Sequence, residues 1–376
     1  MSPSSRQRVF LHVGVPNSGA SVVQAGLSHH RAALLDAGFL YPDRNLAFDA
    51  ALDLRGNHKE WGRKRGEVEG AWDRLCLEAR HHRGTTIISN ELLAAVPRRK
   101  VASALSMLGG LDVHLVVTVR DLAVHLATGW QDSVMAGGYA DIEKFCEQVL
   151  SPHRAHEPAQ RFWASQDIPQ VLARWGSELP RENVHVVCCP PSTDSPDKLW
   201  ARFAEVVALD PNVFPLPHQA PAVPSWGVTH VDLLRRVNAA LADSGFEEPR
   251  GGGIATHYFS QALGALHPSA PPALPGTLLD DVVTVAKPWL QKIEVARYRV
   301  WGDTGDLLPA PASVAQWDSE EADQPPEVDS AVAVIAELLL EVDRLRSSTA
   351  SLKSDKKVLK KKRKRLKLRL AEALSD

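Results

Sequence analysis

The sequence predicts an α/β protein with a three-layer parallel sheet, extended at its C-terminus by a long helix. Short apolar runs rich in β-branched residues alternate with stretches of helical periodicity along residues 1–302, as strand–helix–strand units require. The run Val113–Val119 is nearly continuous in apolar residues, the pattern of a strand buried on both faces. Residues 330–374 contain neither Gly nor Pro, so nothing in them interrupts a helix.

The first strand is expected over Arg8–Val13, where β-formers cluster. A Gly-containing turn follows, then a helix from about Ala20 to Ala37, which Gly38 ends from the position after its C-cap. Thr86–Ser89 is a second short strand. After Val113–Val119 a helix runs from Leu122 to Met135 and stops at Gly137-Gly138. Val184–Cys188 is a further buried strand between helical patterns at 168–178 and 196–207. Residues 303–329 are rich in Asp, Glu and Pro, including Pro309, Pro311, Pro325 and Pro326, and read as a linker with too little apolar surface for a core. The expected organisation is an α/β domain over 1–302, an acidic linker over 303–329 and a basic helical tail over 330–376.

Composition narrows the function classes. The chain has 376 residues, 44% apolar and 23% charged, enough for a sizeable core. No segment approaches the ~18 consecutive apolar residues of a membrane span. The run Val9–Val13 is too short for a secretory signal core, so a cytoplasmic location is expected. Cys76, Cys146, Cys188 and Cys189 form no C-x-x-C pair, which disfavours a disulfide framework or a structural zinc site. The histidines include His153 and His156 in H-x-x-H spacing and the pairs His29-His30 and His81-His82, but no H-E-x-x-H, and no metal is expected. The absence of G-x-S-x-G argues against an α/β-hydrolase. Tryptophans number 10, most of them expected in the core and some available to line a cleft.

The turn after the first strand reads Gly14-Val15-Pro16-Asn17-Ser18-Gly19-Ala20-Ser21. Between a strand and a helix, backbone N–H groups can cradle a phosphate. The spacing is that of G-x-x-x-x-G-K-[ST], with Ala20 where the lysine would stand. Without that lysine, hydrolysis of ATP or GTP is disfavoured, and so is a small-molecule kinase.

The stretch Phe10–Ser21 resembles the 5′-phosphosulfate loop of the sulfotransferase family, whose donor is 3′-phosphoadenosine 5′-phosphosulfate (PAPS). That loop commonly runs Pro-Lys-Thr-Gly-Thr-Thr or -Ser. Pro16, Gly19 and Ser21 match, and Ser18 is a hydroxyl swap. Asn17 replaces the lysine that bridges the leaving phosphate and the sulfuryl group. Asparagine can still donate a hydrogen bond there, without charge. The resemblance implies a P-loop-like sulfotransferase fold in which Pro16, Ser18, Gly19, Ala20 and Ser21 hold the 5′-phosphosulfate. It implies a second anion site for the 3′-phosphate, made by Arg and a hydroxyl eight residues on; here these are Arg120, at the end of the apolar strand, and Thr128, with Ser133 as a fallback. Several branches carry an acidic residue at the end of the second strand as the acceptor's base, and Glu91 matches it. His58, in the polar stretch Arg55–Arg65 that could form a lid, is an alternative base.

Weaker similarity to a bacterial sulfotransferase-like branch runs through Trp163–Asp167, Val184–Val187, Leu233–Asn238 and Tyr298–Asp303. The expected activity is sulfuryl transfer from PAPS to a hydroxyl or amine of a carbohydrate or lipid acceptor, with Glu91 and Asn17 at the reacting centre and no metal. The alternative is a nucleotide- or glycan-binding scaffold without turnover that recruits partners through its tail.

The net charge of -2 hides an asymmetry. Residues 352–376 hold 11 Lys and Arg against Asp355, Glu372 and Asp376. Leucines recur every seven residues at Leu338, Leu345, Leu352, Leu359 and Leu366, followed by Ala373. A second seam starts at Ile335 and Val342, turns polar at Thr349, Lys356 and Arg363, and recovers at Leu370. This coiled-coil spacing predicts self-association over residues 335–370. The six cations Lys360–Arg365 predict an acidic partner: the linker around Glu320-Glu321, an anionic membrane surface that would make the protein peripheral to it, or a nucleic acid.

Overall fold

The computed structural model describes residues 7–191, 196–217, 226–245, 255–256, 271–309, 314–315 and 326–373. The chain divides into two compact units. The larger comprises Met1–Ser133, Ala140–Val228 and Pro268–Ser319; the second comprises Val134–Tyr139, Thr229–His267 and Glu320–Asp376. Glu320 and Glu321, considered above as an internal partner for the tail, lie outside the described residues, as do the side chains beyond Arg363.

The chain begins with β1 (Arg8–His12), α1 (Ala20–His29), α2 (Arg31–Asp36), β2 (Phe39–Leu40) and α3 (Arg44–Arg55). Then come α4 (Arg65–Val68), α5 (Ala71–His81), β3 (Thr85–Ser89), α6 (Arg98–Ser106), β4 (Asp112–Val119) and α7 (Leu122–Met135). These are followed by α8 (Ile142–Leu150), α9 (Glu157–Gln166), α10 (Ile168–Gly176), β5 (Val184–Cys188), α11 (Pro196–Val207) and α12 (Val228–Asp243). The last elements are β6 (Leu274–Pro275), α13 (Leu279–Ala296), β7 (Arg299–Trp301), β8 (Val314–Ala315) and α14 (Pro326–Ala373).

Six strands form one sheet in the order β2-β3-β1-β4-β5-β7, and every pairing is parallel. The α/β parallel architecture expected from the sequence is therefore present. The four expected strands are all there. Two edge strands, β2 and β7, escape a pattern reading because two or three residues are too few to show a period. The stretch 20–37 is two helices rather than one: α1 closes at His30, whose N–H reaches back to the Gly26 carbonyl, and α2 begins there. The long helix starts at Pro326 rather than 330, because proline at the first helical position has no needed N–H and a preset φ.

Both faces of the sheet are covered. On one, Phe10, Ile87, Val116 and Val187 pack against Val23 and Leu27 of α1 and Trp200 and Phe203 of α11. On the other, Val9, Leu11, Ile88, Leu115 and Val117 are buried as completely. Each such large side chain contributes about 1.5–3 kcal/mol by leaving water. All four cysteines are free and buried, as small core residues. Part of the stretch read as linker is structured. Thr304–Leu307 forms a turn with Leu307 buried and Asp306 paired to Arg202 at 3.2 Å, and β8 pairs with β6.

The strand order fixes where a site can form. β1 is flanked by β3 on one side and β4 on the other, so the chain leaves the ends of these strands in opposite directions. In a parallel sheet such a reversal opens a crevice at the C-terminal strand ends. The segments that meet there are the turn after β1, Asn90-Glu91 after β3, and Arg120-Asp121 after β4.

In the second unit, buried Asn238 of α12 donates to the carbonyls of Val134 and Gly138 at 2.8 and 2.9 Å. On α14, Val332, Ala336 and Leu339 are buried. Among the described residues no helix is long and apolar enough to cross a membrane.

Candidate functional site

The turn after β1 prolongs the sheet before it leaves it. Val13 N–H donates to Val116 and Val15 N–H to Thr118, at 2.8 and 3.2 Å. Gly14 fits because a Cβ there would stand 2.9 Å from Thr118 Oγ1 and 3.2 Å from His12 Nε2. Gly19 is required more strongly. Its φ is +82°, and a Cβ would sit 2.2 Å from Leu199 Cδ2. Gly19 is also the N-cap of α1, with no side-chain cap. The N–H groups of Ala20 and Ser21 therefore open the helix without an intrahelical acceptor, at the positive end of its dipole. That is an anion-binding geometry. Ser21 is exposed at this point.

A buried polar network holds the turn from beneath. Ser18 donates its hydroxyl to the Val15 carbonyl and lies 2.7 Å from Thr118 Oγ1. Thr118 Oγ1 is 3.1 Å from His12 Nε2, and His12 Nδ1 is 2.8 Å from Ser89 Oγ. Burial drives His12 down to about 3, so the ring is neutral and has one proton to give. The directions follow. Since Ser18 gives its proton to Val15, it accepts from Thr118. Thr118 then accepts from His12 Nε2–H, and His12 Nδ1 accepts from Ser89. One chain of hydrogen bonds thus ties the ends of β1, β3 and β4 to the turn. Ser18 faces inward at 0% exposure, so its hydroxyl shapes the loop and does not point toward a ligand.

Two further supports reach the turn from other elements. Gln166 of α9 donates to the Pro16 carbonyl at 3.1 Å, and the Cys189 thiol donates to the Ser18 carbonyl at 2.7 Å. Burial pushes that thiol up to about 12, so it stays protonated. Arg120 lies at the same place: its charge acts on Cys189 and on His125. His125 is fully buried against the backbone of Pro16 and Arg120. Burial first, then the Arg120 charge, brings its pKa to about 3. Asp121 caps α7 by accepting from Val124 N–H at 3.0 Å. Thr128 donates its hydroxyl to the Val124 carbonyl of its own helix at 2.8 Å, so that proton is not directed at a phosphate.

Glu91 opens the turn after β3, with Asn90 capping it through a bond to Leu92 N–H at 2.9 Å. Burial raises the Glu91 pKa, the nearby Asp132 carboxylate raises it further, and Arg44 opposes both. Asp132 sits on α7 and accepts from the Asn17 side-chain amide at 3.2 Å. Its pKa is also raised, by the crowding of protein around it, and Asn17 moderates this. Asn17 itself adopts φ 65°, a left-handed conformation that asparagine tolerates better than most residues. Asn17, Asp132 and Glu91 therefore converge from the β1 turn, α7 and the β3 turn.

Glu91 faces a cavity of about 550 Å³ whose lining includes Gln24, Arg44, Asn45, Phe48 and Trp61. Trp61 is 47% exposed and is held by an edge-to-face contact with Phe48 at 5.4 Å. It belongs to the short turn His58–Trp61 inside the stretch considered as a lid. His58, the alternative base, is buried in that turn and is not among the cavity's lining residues.

Pro16, Asn17, Gly19, Ala20, Ser21, Arg120 and Glu91 thus gather at the C-terminal ends of β1, β3 and β4, while the Ser18 and Thr128 hydroxyls are engaged within the protein. His12, Thr118, His125, Asp132, Gln166 and Cys189 also belong to the site and carry no motif. Only Asp132 left a signal, since it stands one helical turn beyond Thr128 on the same face of α7. Comparison with protein-family models, curated proteins and solved structures gives no match.

Proposed function

We propose that this site binds PAPS and transfers its sulfuryl group to an acceptor in the cavity before Glu91. The observation that carries the reading is the convergence of three strand ends: the uncapped start of α1 after β1, Glu91 with its cavity after β3, and Arg120 after β4. Sulfuryl transfer, like phosphoryl transfer, asks for in-line placement and charge neutralisation rather than covalent work. In this reading the N–H groups of Ala20 and Ser21 hold the 5′-phosphosulfate, and Arg120 holds the 3′-phosphate. The fold is then of P-loop and sulfotransferase type.

Glu91 acts as the base. Its raised pKa makes it a better proton acceptor than an ordinary surface carboxylate. The acceptor's oxygen attacks sulfur as the bond to the leaving phosphate oxygen breaks, and Glu91 takes the acceptor's proton. The cavity presents amides, a guanidinium and a carboxylate beside the indole of Trp61, which Phe48 holds in place. Such a lining suits a polyhydroxylated, sugar-like acceptor better than an apolar one.

One observation favours a second reading, a nucleotide-binding scaffold without turnover. The position of the bridging lysine is held by Asn17, and its amide is occupied by Asp132. A transfer assay with labelled donor and an array of sugar alcohols and oligosaccharides separates the two. Transfer is expected for the wild-type protein. Glu91→Gln should lower kcat by about 10²–10⁴-fold while leaving donor affinity unchanged. Equal rates in both proteins would remove Glu91 from the mechanism. Absence of transfer with donor bound would favour the scaffold.

A further inference from the structure

Helix α14 spans 48 residues, about 72 Å at 1.5 Å per residue. It buries one short stripe near its start, at Val332, Ala336 and Leu339. A different stripe stays open. Leu338, Leu345, Leu352 and Leu359 are 60%, 52%, 66% and 63% exposed, spaced seven residues apart on one face. Four half-exposed leucines in line are a seam without a cover.

The charge along this helix indicates the cover. Residues 326–343 contain Glu327, Asp329, Glu337, Glu341 and Asp343 and no basic residue. Residues 344–369 contain 13 Lys and Arg and only one acid, Asp355. A parallel pair of such helices would set two Lys360–Arg365 runs side by side, six cations against six. An antiparallel pair centred on Leu352 instead sets residues 361–369, with 7 of these cations, against residues 335–343 of the partner, which hold Glu337, Glu341 and Asp343. The spacing fits this arrangement, because Leu352 lies midway between Leu338 and Leu366 and so falls on the two-fold axis.

We infer that α14 pairs with α14 of a second copy of this chain in an antiparallel, two-fold symmetric coiled coil along the leucine seam. Electrostatic complementarity sets the orientation, and the leucines supply the buried surface. The inference does not depend on the proposed chemistry of the larger unit.

Light scattering on the full chain tests association. A mass of twice 41.1 kDa is expected, returning to 41.1 kDa when Leu345 and Leu352 are both replaced by glutamate. Orientation is read separately, by thiol cross-linking of Glu341→Cys and Lys362→Cys. The native cysteines are buried, so the introduced thiols are the ones that react. These positions lie nearly symmetrically about Leu352. A mixture of the two variants should cross-link between copies, and each variant alone should not. Cross-linking of each variant with itself would overturn the antiparallel arrangement. A wild-type chain that stays at 41.1 kDa, including one that enlarges only when anionic vesicles or RNA are added, would overturn the pairing altogether.

Discussion

Replacing Asn17 by lysine is expected to raise the rate of sulfuryl transfer by about 10²–10³-fold, the size of effect that follows loss or gain of one strong donor at a reacting oxygen. In the proposed site Asn17 stands at the loop position where a sulfotransferase lysine would face the bridging oxygen, and its amide is an uncharged donor. An ammonium there would neutralise charge as it builds on the leaving phosphate. Two features of the site temper the gain. The residue sits at φ 65°, which costs a lysine about 1–2 kcal/mol of backbone strain. The Asp132 carboxylate that now accepts from Asn17 would also attract the ammonium. Adding Asp132→Asn to Asn17→Lys should therefore increase the rate further. Steady-state kinetics with the labelled donor, with donor affinity measured in parallel, decide the matter. If the rate does not change while the donor still binds, the loop holds nucleotide without catalysing transfer, and the scaffold reading stands.

Acid should destabilise the protein steeply below pH 6.5. Burial lowers His12 and His125 from 6.5 to about 3 and His185 to about 4. The sign is fixed by those directions. A histidine whose folded pKa lies below its unfolded value takes up its proton first in the unfolded chain. Stability is then complete above pH 6.5 and is lost as pH falls toward the folded pKa. Each histidine contributes a limiting slope of about 1.4 kcal/mol per pH unit, so three together give about 4 kcal/mol per unit between roughly pH 5.5 and 4. A typical domain has only about 5–15 kcal/mol to lose. Glu91 and Asp132 act the other way, since raised carboxylate pKa values favour the folded state as they protonate. They are two against three, and both are nearer to solvent than His12 and His125.

At His185 the hydrogen-bond geometry adds to burial in resisting protonation. His185 accepts from Trp301 Nε1–H at 3.2 Å, so it must donate to His114 Nδ1, 3.0 Å away; His114 then donates to Asp112 at 3.3 Å. A second proton on either ring would set two donors face to face. His12 differs, since the Ser89 hydroxyl could turn to accept a second proton, and burial alone keeps that ring neutral. Urea midpoints at pH 7.5, 6.0 and 5.0 should fall progressively. A midpoint unchanged down to pH 5 would mean that these rings are not buried as described.

The fold was more legible than the site. β1, β3, β4 and β5 announce themselves because adjacent residues such as Val113–Val119 are apolar on both faces, a property local to a few positions. The loop Gly14–Ser21 was legible for the same reason, and so was its place between a strand and a helix. The support beneath it was not. His12 meets Ser89 across 77 positions and Thr118 across 106, and Cys189 meets Ser18 across 171. No spacing rule connects residues so far apart. The cavity was hidden for another reason. Arg44 and Phe48 come from α3, which carried no motif, and Trp61 from the polar stretch Arg55–Arg65, where only its packing on Phe48 turns it into a wall. Thr128 shows the opposite failure, a residue at the right spacing whose hydroxyl is already committed to the Val124 carbonyl.

Calorimetric titration of the full chain with 3′-phosphoadenosine 5′-phosphate, the desulfated donor, tests the central claim most directly. Arg120 and the start of α1 should together give a micromolar dissociation constant. Arg120→Ala should weaken it by about 100-fold, near 2.8 kcal/mol, by removing the planar donor for the 3′-phosphate. Binding that survives Arg120→Ala unchanged would displace the nucleotide from this strand end. No heat at millimolar ligand, with the protein folded, would contradict a donor site at the ends of β1 and β4.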